Sequence, residues 1–397
     1  MKTRFGSVAL AIASVLFPTI SSAQHYTQKN LVSDIPQPKN SDNSAVLVDT
    51  NLVNPWGITR GSTTPWWINN NGTGTSALYD GTGKPVNIFA DPAGSLFDNF
   101  VIVPAPKTAP PGTTSAPTGI VFNGSGTDFL LSVNGKPTGK SAIFIFVTED
   151  GTISGWNPAV NIPAGASAPS IDAALQIDNS DNGSDNGDVY KGATTADVSG
   201  QRFLYVTDFR HGKVKVYDSN FQRARFGEDA FQDEAIPNGF APFNIQNIGG
   251  SLFVTYAKQD GARHDDVPAA GNGFVVIYSP LGRIEGHLQH GPWMDSPWGV
   301  VWTPRDFGEF SNTILVGNFG SGQIAAFNGF THQFIGFMQN PDNSILTIDG
   351  LWSLTFGNDA TAGPATTLYF TAGLDGEHHG LFGTLNPVAS EQDGDEE

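Results

Sequence analysis

One hairpin pattern recurs along this chain and constrains its fold more than any other feature. Its clearest copy covers residues 204–218, where two runs of alternating apolar residues flank a polar Asp-Phe-Arg-His-Gly break. This pattern predicts a strand, a tight turn and a second strand. Further copies cover 66–80, 314–327 and 368–382. Because such a hairpin cannot bury its own apolar face, its repetition is typical of repeat architectures.

A shorter pattern precedes the hairpins. Four copies begin with proline and two weaker copies lack it; they start near residues 55, 117, 189, 242, 297 and 351, which are 53 to 72 residues apart. Proline is tolerated at the first residue of an edge strand, and the glycine that follows in most copies suits a place where backbones crowd. The innermost strand of a propeller blade has both properties. The sequence therefore predicts an all-β fold, a single six-bladed β-propeller.

The two ends of the chain differ from the repeat region. Residues 1–23 contain Lys2 and Arg4, then an apolar run and small residues, which predicts a signal peptide and a secreted or periplasmic protein. Residues 24–387 form the predicted propeller, and 388–397 are predicted to be an acidic disordered tail. We expect strands from both chain ends to close the ring, with 45–48 and 381–385 as candidates.

Composition disfavours several classes of function. The formal net charge of −18 argues against nucleic acid and anionic membrane surfaces as partners. No segment after residue 23 is apolar enough to cross a membrane, so membrane insertion is not expected. The chain has no cysteine, which excludes thiolate nucleophiles and thiolate metal ligands. We expect a monomer stabilised by core burial.

The repeated hairpin resembles the NHL repeat, with Asp208 at its acidic position. Further phrases extend the resemblance to an exported, uncharacterised family of NHL-like propellers of microbes, over about residues 30–387. These phrases lie at 54–58, 116–123, 239–246, 254–260, 316–319, 348–352 and 369–373. The resemblance implies a propeller fold and export, and it implies no particular reaction.

The expected functional face is the one that surrounds the mouth of the propeller axis. The loops that enter the inner strands and the turns of the central hairpins meet on that face, so side chains from several blades converge there. The residues predicted to bind a ligand are Asn54, Asp208, Arg210, Asn244, Lys258, Asp260, Asn318 and Asp349. Those predicted to bind a metal ion, Ca²⁺ or Zn²⁺, are His211, His264 and His378.

Three functions remain open from the sequence. The favoured one is a binding or scaffold module that takes a small molecule or an exported protein at its axial face. The converging Asp, Asn and His residues keep open a metal-dependent hydrolase or lyase with Ca²⁺ or Zn²⁺ at the axis. A purely structural surface protein is the third. The sequence contains no Ser-His-Asp spacing, phosphate-binding glycine loop or zinc-protease helix, which favours the binding or scaffold module.

Three local patterns have structural interpretations. The indoles of Trp56, Trp298 and Trp352 occupy one repeat position, which favours core packing over ligand stacking. Asp208 is expected to accept backbone N–H bonds within its own turn. The segment 178–188 resembles a calcium loop in composition only, because the EF-hand glutamate position falls on Val189 or Gly192.

Overall fold

A computed structural model describes residues 25–38, 47–88, 98–162, 168–181, 184 and 186–388. The predicted signal peptide and the predicted tail beyond residue 388 lie outside the described residues. Within them, six sheets of four or five strands follow one another along the chain. The predicted six-bladed β-propeller is confirmed.

The first three blades are formed in chain order. Blade 1 comprises β3 (Pro55–Thr59), β4 (Trp66–Asn70), β5 (Thr75–Tyr79) and β6 (Phe100–Ile102). Blade 2 comprises β7 (Pro117–Phe122), β10 (Phe144–Thr148), β11 (Thr152–Trp156) and β12 (Ala174–Asp178), with an inserted hairpin of β8 (Leu130–Val133) and β9 (Lys136–Ser141). Blade 3 comprises β13 (Tyr190–Val198), β14 (Gln201–Asp208), β15 (Lys213–Asp218) and β16 (Arg223–Ala224).

The other three blades repeat the plan, and the last one also takes strands from the start of the chain. Blade 4 comprises β17 (Phe240–Ile248), β18 (Ser251–Lys258), β19 (Gly273–Tyr278) and β20 (Ile284–His287). Blade 5 comprises β21 (Pro297–Trp302), β22 (Thr313–Asn318), β23 (Ile324–Asn328) and β24 (Phe334–Phe337). Blade 6 comprises β25 (Leu351–Phe356), β26 (Leu368–Gly373), β27 (His379–Pro387), β1 (Tyr26–Ser33) and β2 (Leu47–Val48).

The innermost strands of the six blades form a closed ring. Each of β3, β7, β13, β17, β21 and β25 contacts the inner strand of the next blade, and β25 contacts β3. Glycine allows this close approach: a Cβ on Gly57 would lie 2.4 Å from the carbonyl oxygen of Thr118, and one on Gly119 would lie 2.6 Å from the nitrogen of Ala193. The predicted crowding of backbones at these glycines is confirmed.

The apolar core consists of one layer between each pair of neighbouring blades. β14 shows how the sequence builds two layers at once, because successive strand residues point to opposite faces. Leu204 and Val206 pack between blades 2 and 3, whereas Phe203 and Tyr205 pack between blades 3 and 4. Burial on both faces explains why the central part of β14, from Phe203 to Val206, is an uninterrupted apolar run and not an alternating one.

The ring is closed by strands from both ends of the chain. β1 pairs antiparallel with β27, from Tyr26 opposite Pro387 to Ser33 opposite Leu381. The predicted closing strand at 381–385 is therefore confirmed. Of the candidate at 45–48, only residues 47 and 48 are described; they form the outermost strand, β2, beside β1. The sequence pattern missed β1 because its first half, Tyr-Thr-Gln-Lys-Asn, is mostly polar.

Candidate functional site

One position on the inner strands carries a large side chain toward the axis in most blades. Blade by blade, the residues at this position are Trp56, Thr118, Lys191, Phe243, Trp298 and Trp352. The three indoles and the Phe243 ring pack together with Phe209, and Trp56 stacks on Trp352 with ring centroids 3.5 Å apart. The predicted core role of the tryptophans is thus confirmed, and their packing partners are one another across the axis.

Lys191 is the one cation at this position, and it lies at the edge of the aromatic cluster. Its side chain is 2% exposed, and its Nζ lies 5.0 Å from the ring centroid of Trp56 and 5.7 Å from that of Phe209. The ammonium contacts Oε1 of Glu149 and lies 3.5 Å from Oδ1 of Asp265. Burial opposes the charged form, but Glu149 and Asp265 outweigh it and raise the Lys191 pKa. Lys191 is therefore a charged ammonium buried beneath the mouth.

A chain of amide side chains links this ion pair to blade 6. The Nδ2 of Asn71 donates to Oε2 of Glu149 over 2.8 Å. The Nδ2 of Asn54 donates to Oδ1 of Asn71 over 3.4 Å and to Oε2 of Glu377 over 2.7 Å. Asn54 also accepts the indole N–H of Trp352 at 3.0 Å. Five side chains from blades 1, 2 and 6 are thereby fixed around the axis.

Glu377 is the carboxyl group in this network whose protonation changes near neutral pH. Burial raises its pKa to about 7; the hydrogen bond from Asn54 opposes this shift, and the negative charges of Glu149 and Asp265 add to it. Glu377 ends the helical turn Leu374–Glu377, in which Asp375, Gly376 and Glu377 all have left-handed φ values of 54°, 66° and 70°. Consecutive left-handed residues are costly, and such strain is characteristic of functional sites.

The blade 4 loop adds an imidazole to the mouth. His264 Nδ1 lies 2.8 Å from Oδ1 of Asp265, which lowers the Asp265 pKa to about 2 and raises the His264 pKa. Three atoms that could bind a metal ion, one each from Glu149, His264 and Asp265, lie within 4.8 Å of one another. Asp260 accepts the backbone N–H groups of His264 and Asp265, which shapes the loop. We call Lys191, Glu149, Glu377, His264 and Asp265, with Asn54 and Asn71, the mouth cluster.

A second charged cluster lies within blade 3, beside its central hairpin. Asp208 is fully buried; its carboxylate accepts the backbone N–H of His211 at 3.3 Å and lies 2.9 Å from Lys215 Nζ. The predicted role of Asp208 within its own turn is confirmed. Three atoms that could bind a metal ion, one each from Asp188, Asp208 and His211, lie within 4.8 Å of one another. Lys215 also reaches Asp188 at 2.5 Å, so an ammonium already bridges the two carboxylates.

The structure divides the predicted site residues among separate places. Asn54 belongs to the mouth cluster, Asp260 shapes its loop, and Asp208 belongs to the blade 3 cluster. The remaining predicted ligand-binding residues bond to the protein itself or face solvent. Arg210, Asn244 and Asn318 donate to the backbone carbonyl oxygens of Gly187, Trp298 and Trp293, respectively. Asp349 accepts the backbone N–H of Asp375, and Lys258 is exposed.

The three histidines predicted to bind metal do not form one group. His264 and His211 belong to different clusters, and His378 belongs to neither of the two groups found among the described residues. The ring of His378 is exposed, with Nδ1 2.8 Å from the carbonyl oxygen of Asp375. Their loops leave different blades, so a shared position on the axial face does not bring the imidazoles together.

Sequence reasoning missed Lys191 and Glu149 as site residues, and it assigned no role to Glu377. A signal for Lys191 was present, because the repeat register puts a lysine where other blades carry tryptophan or phenylalanine. Glu149 stands in an Asp-Gly hairpin turn and Glu377 beside two histidines, and no spacing in the sequence links them. Only the closure of the ring places blade 6 beside blade 1.

Across the described ranges, no helix has the length and apolar character needed to cross a membrane. No family model matches the sequence.

Two solved structures with similar folds are a streptogramin B lyase and the hydrazine synthase of Kuenenia stuttgartiensis. The first is 14% identical, with a TM-score of 0.46 over 91% of this chain and 97% of that one; the second is 12% identical, with a TM-score of 0.45 over 83% and 76%.

Sequence relatives occur in Acanthamoeba polyphaga mimivirus. Uncharacterized protein R648 is 30% identical over 356 residues, which cover 87% of this chain and 78% of the viral protein. Uncharacterized protein L690 is 27% identical over 351 residues, covering 86% and 82%. The 30% identity to R648 over most of both chains places these two proteins in one family. This chain therefore belongs to the family of Uncharacterized protein R648.

Proposed function

We propose that this protein is a binding module whose ligand carries a positively charged group, such as an amine, and that Glu377 holds this group at the axial mouth. The observation that carries the proposal is the state of the Glu377 carboxyl. It is largely buried, its pKa is raised to about 7, and no salt bridge of the described residues includes it. A desolvated carboxyl without a contacting cation gains most from a cationic ligand.

The charge of the surrounding groups supports a cation over an anion. Glu149 and Asp265 share the single ammonium of Lys191. Asp266 and Asp295, on the same face, each have a buried carboxyl oxygen without a hydrogen-bond partner among the described residues, and burial raises both pKa values. Carboxyl groups thus outnumber cations around the mouth, and a buried site focuses their field.

Calorimetric titration with putrescine tests the proposal. A bound ammonium lowers the Glu377 pKa, so binding near pH 7 must release a fraction of a proton, measurable by repeating the titration in buffers of different ionisation enthalpy. We expect saturable binding with proton release in the parent protein, and neither in Glu377→Gln. Glu309→Gln is the matched control, because this exposed carboxylate lies on a loop of the opposite face. Equal binding by the parent and Glu377→Gln would contradict the proposal.

A second candidate function is a metal-dependent hydrolase or lyase. It is supported by the convergence of Glu149, His264 and Asp265, a ligand set that suits Ca²⁺ or Zn²⁺. A metal ion there must displace the Lys191 ammonium from Glu149, which disfavours it relative to the amine proposal. Metal analysis of the purified protein and of His264→Ala separates the two functions. Stoichiometric metal in the parent that is lost in the variant supports the metal centre, and metal-free protein that binds putrescine supports the amine site.

A further inference from the structure

A cavity of about 320 Å³ lies on the propeller axis, on the side of the aromatic cluster away from the mouth. All six inner strands line it. Most of the lining residues lie further along each strand than the position that Trp56, Trp298 and Trp352 occupy in their blades. The cavity therefore belongs to the opposite face of the propeller. It is separated from the mouth cluster by the stacked rings of Trp56 and Trp352 and their neighbours.

The charge of this cavity is opposite to that of the mouth. Among the described residues, Arg60 is the only ionisable residue that lines it, although the whole chain carries a net charge of −18. The carboxylate of Asp359 acts on Arg60 electrostatically but does not line the cavity. The guanidinium donates to the carbonyl oxygens of Phe356 and Gly357, at 2.8 and 2.7 Å, and joins no salt bridge of the described residues. Its Nη1 donates no hydrogen bond to the described part of the chain, so the cation keeps hydrogen-bonding capacity.

The cavity also contains polar groups without hydrogen-bond partners among the described residues, and one of them is a fully buried atom. The indole nitrogen of Trp298, a residue 4% exposed, is buried without a hydrogen-bond acceptor among the described residues. Ser353 is 5% exposed, and its hydroxyl makes no hydrogen bond to the described residues. The Thr59 and Thr355 hydroxyls beside it are likewise without described partners. Buried polar groups normally find partners, and a concave site lined by unpaired donors is suited to a ligand that supplies acceptors.

We infer that this lower axial cavity is a binding site for a small oxyanion, a carboxylate or a phosphate. Arg60 supplies the charge, because a guanidinium forms charge-assisted hydrogen bonds to both kinds of oxyanion. The Ser353 hydroxyl and the Trp298 indole N–H supply neutral donors deeper in the cavity. An oxyanion can accept hydrogen bonds from donors of both kinds, whereas an amine satisfies none of these donors. The inference is independent of the amine site, since the two share no residue.

Nuclear magnetic resonance of the full chain with ¹⁵N-labelled tryptophan tests this inference. The eight indole N–H groups give separate signals, and the signal of Trp298 is the one that Trp298→Phe removes. Sodium phosphate and sodium acetate are titrated separately, at constant pH and constant ionic strength. We expect at least one of them to shift the Trp298 signal saturably at millimolar concentration. The salt that does so identifies the class of oxyanion.

Variants distinguish a built site from a general effect of salt. Arg60→Gln should weaken the anion at least about tenfold, as expected for loss of a charge-assisted hydrogen bond. Arg305→Gln removes the same charge from an exposed position on the same face and should leave the affinity unchanged. Ser353→Ala weakens binding without a change in charge, which keeps the test valid if Arg60→Gln fails to fold. No saturable shift with either salt, or equal weakening by the two arginine variants, would overturn the inference.

Discussion

The carboxyl group of Glu377 shows how the fold changes the chemistry of a single residue. In the unfolded chain this group loses its proton near pH 4.5, whereas burial in the mouth cluster raises its pKa to about 7. Between these two values the folded state binds more protons than the unfolded state. The contribution of Glu377 to the free energy of unfolding is therefore fully present below about pH 4.5 and is lost as the pH rises through 7.

Comparison of Glu377→Gln with the parent protein should isolate this titration. The stability of the variant relative to the parent should rise between about pH 4.5 and 7 and then level off. The total change is on the order of 3 kcal/mol at most, from the size of the pKa shift. Urea unfolding of both proteins across this range measures the difference. A difference that does not depend on pH would show that the carboxyl titrates normally.

Asp208 illustrates a structural role for a buried carboxylate. It accepts the backbone N–H of His211 and contacts Lys215 while fully buried, so Asp208→Ala leaves the His211 N–H without its acceptor and removes one of the two carboxylates that Lys215 contacts. We expect this variant to lose roughly 1–3 kcal/mol of stability, measured by chemical unfolding. Asp306→Ala removes an exposed carboxylate paired with Arg305 and should change stability by less than about 1 kcal/mol. Equal midpoints for the two variants would reject the structural role.

At the scale of the element, the inner strand is constrained by the backbone of the next blade. Gly119 in β7 faces β13 so closely that a Cβ would lie 2.6 Å from the nitrogen of Ala193 and 2.8 Å from the carbonyl carbon of Gly192. These are backbone atoms of a strand that is paired on its other edge, so they have little freedom to move. The glycine is required by the packing of blade 2 on blade 3.

Gly119→Ala should therefore destabilise the protein by about 1–3 kcal/mol, the usual cost of overpacking a dense interior. Gly126→Ala is the matched control, because a Cβ there meets no atom within 4 Å and its φ is not left-handed. The control should stay within about 0.5 kcal/mol of the parent. The measurement is the midpoint of guanidinium unfolding for each variant. If both alanine variants unfold with the parent, the inner strands are less tightly packed than the structure shows.

At the scale of the whole molecule, stability depends on the joining of the two chain ends in blade 6. The side chain of Val32 in β1 is fully buried between blades 6 and 1, beside Phe382 of β27 and Ile58 of β3. A charge at this position is expected to break the closure as well as the local packing. Lys29 in the same strand is exposed and provides a control.

Val32→Asp should lower the free energy of unfolding by about 3 kcal/mol or more, because an unpaired carboxylate is buried. Lys29→Asp should change it by about 0.5 kcal/mol or less. Thermal and urea unfolding of both variants give the comparison. Should Val32→Asp melt like Lys29→Asp, β1 would be a dispensable extension of the ring.

The sequence by itself determined the fold class and the number of blades. The reason is that both depend on local patterns: alternating apolar residues specify strands, Asp-Gly and similar turns specify hairpins, and Pro-x-Gly marks the inner strand at Pro55, Pro117 and Pro297. Because each blade repeats the same local solution, six copies could be counted without knowledge of their contacts. The role of Asp208 was also predictable, since its main partners lie within its own hairpin. The signal peptide and export stay predictions.

The tertiary structure alone decided which polar side chains meet. Glu149, Lys191 and Glu377 come from blades 2, 3 and 6 and are brought together by ring closure, which no short-range pattern encodes. The same closure separates His211, His264 and His378, although their loops share one face. It also creates the opposite charges at the two ends of the axis, because charge at a site depends on which loops the ring juxtaposes and on how deeply it buries them.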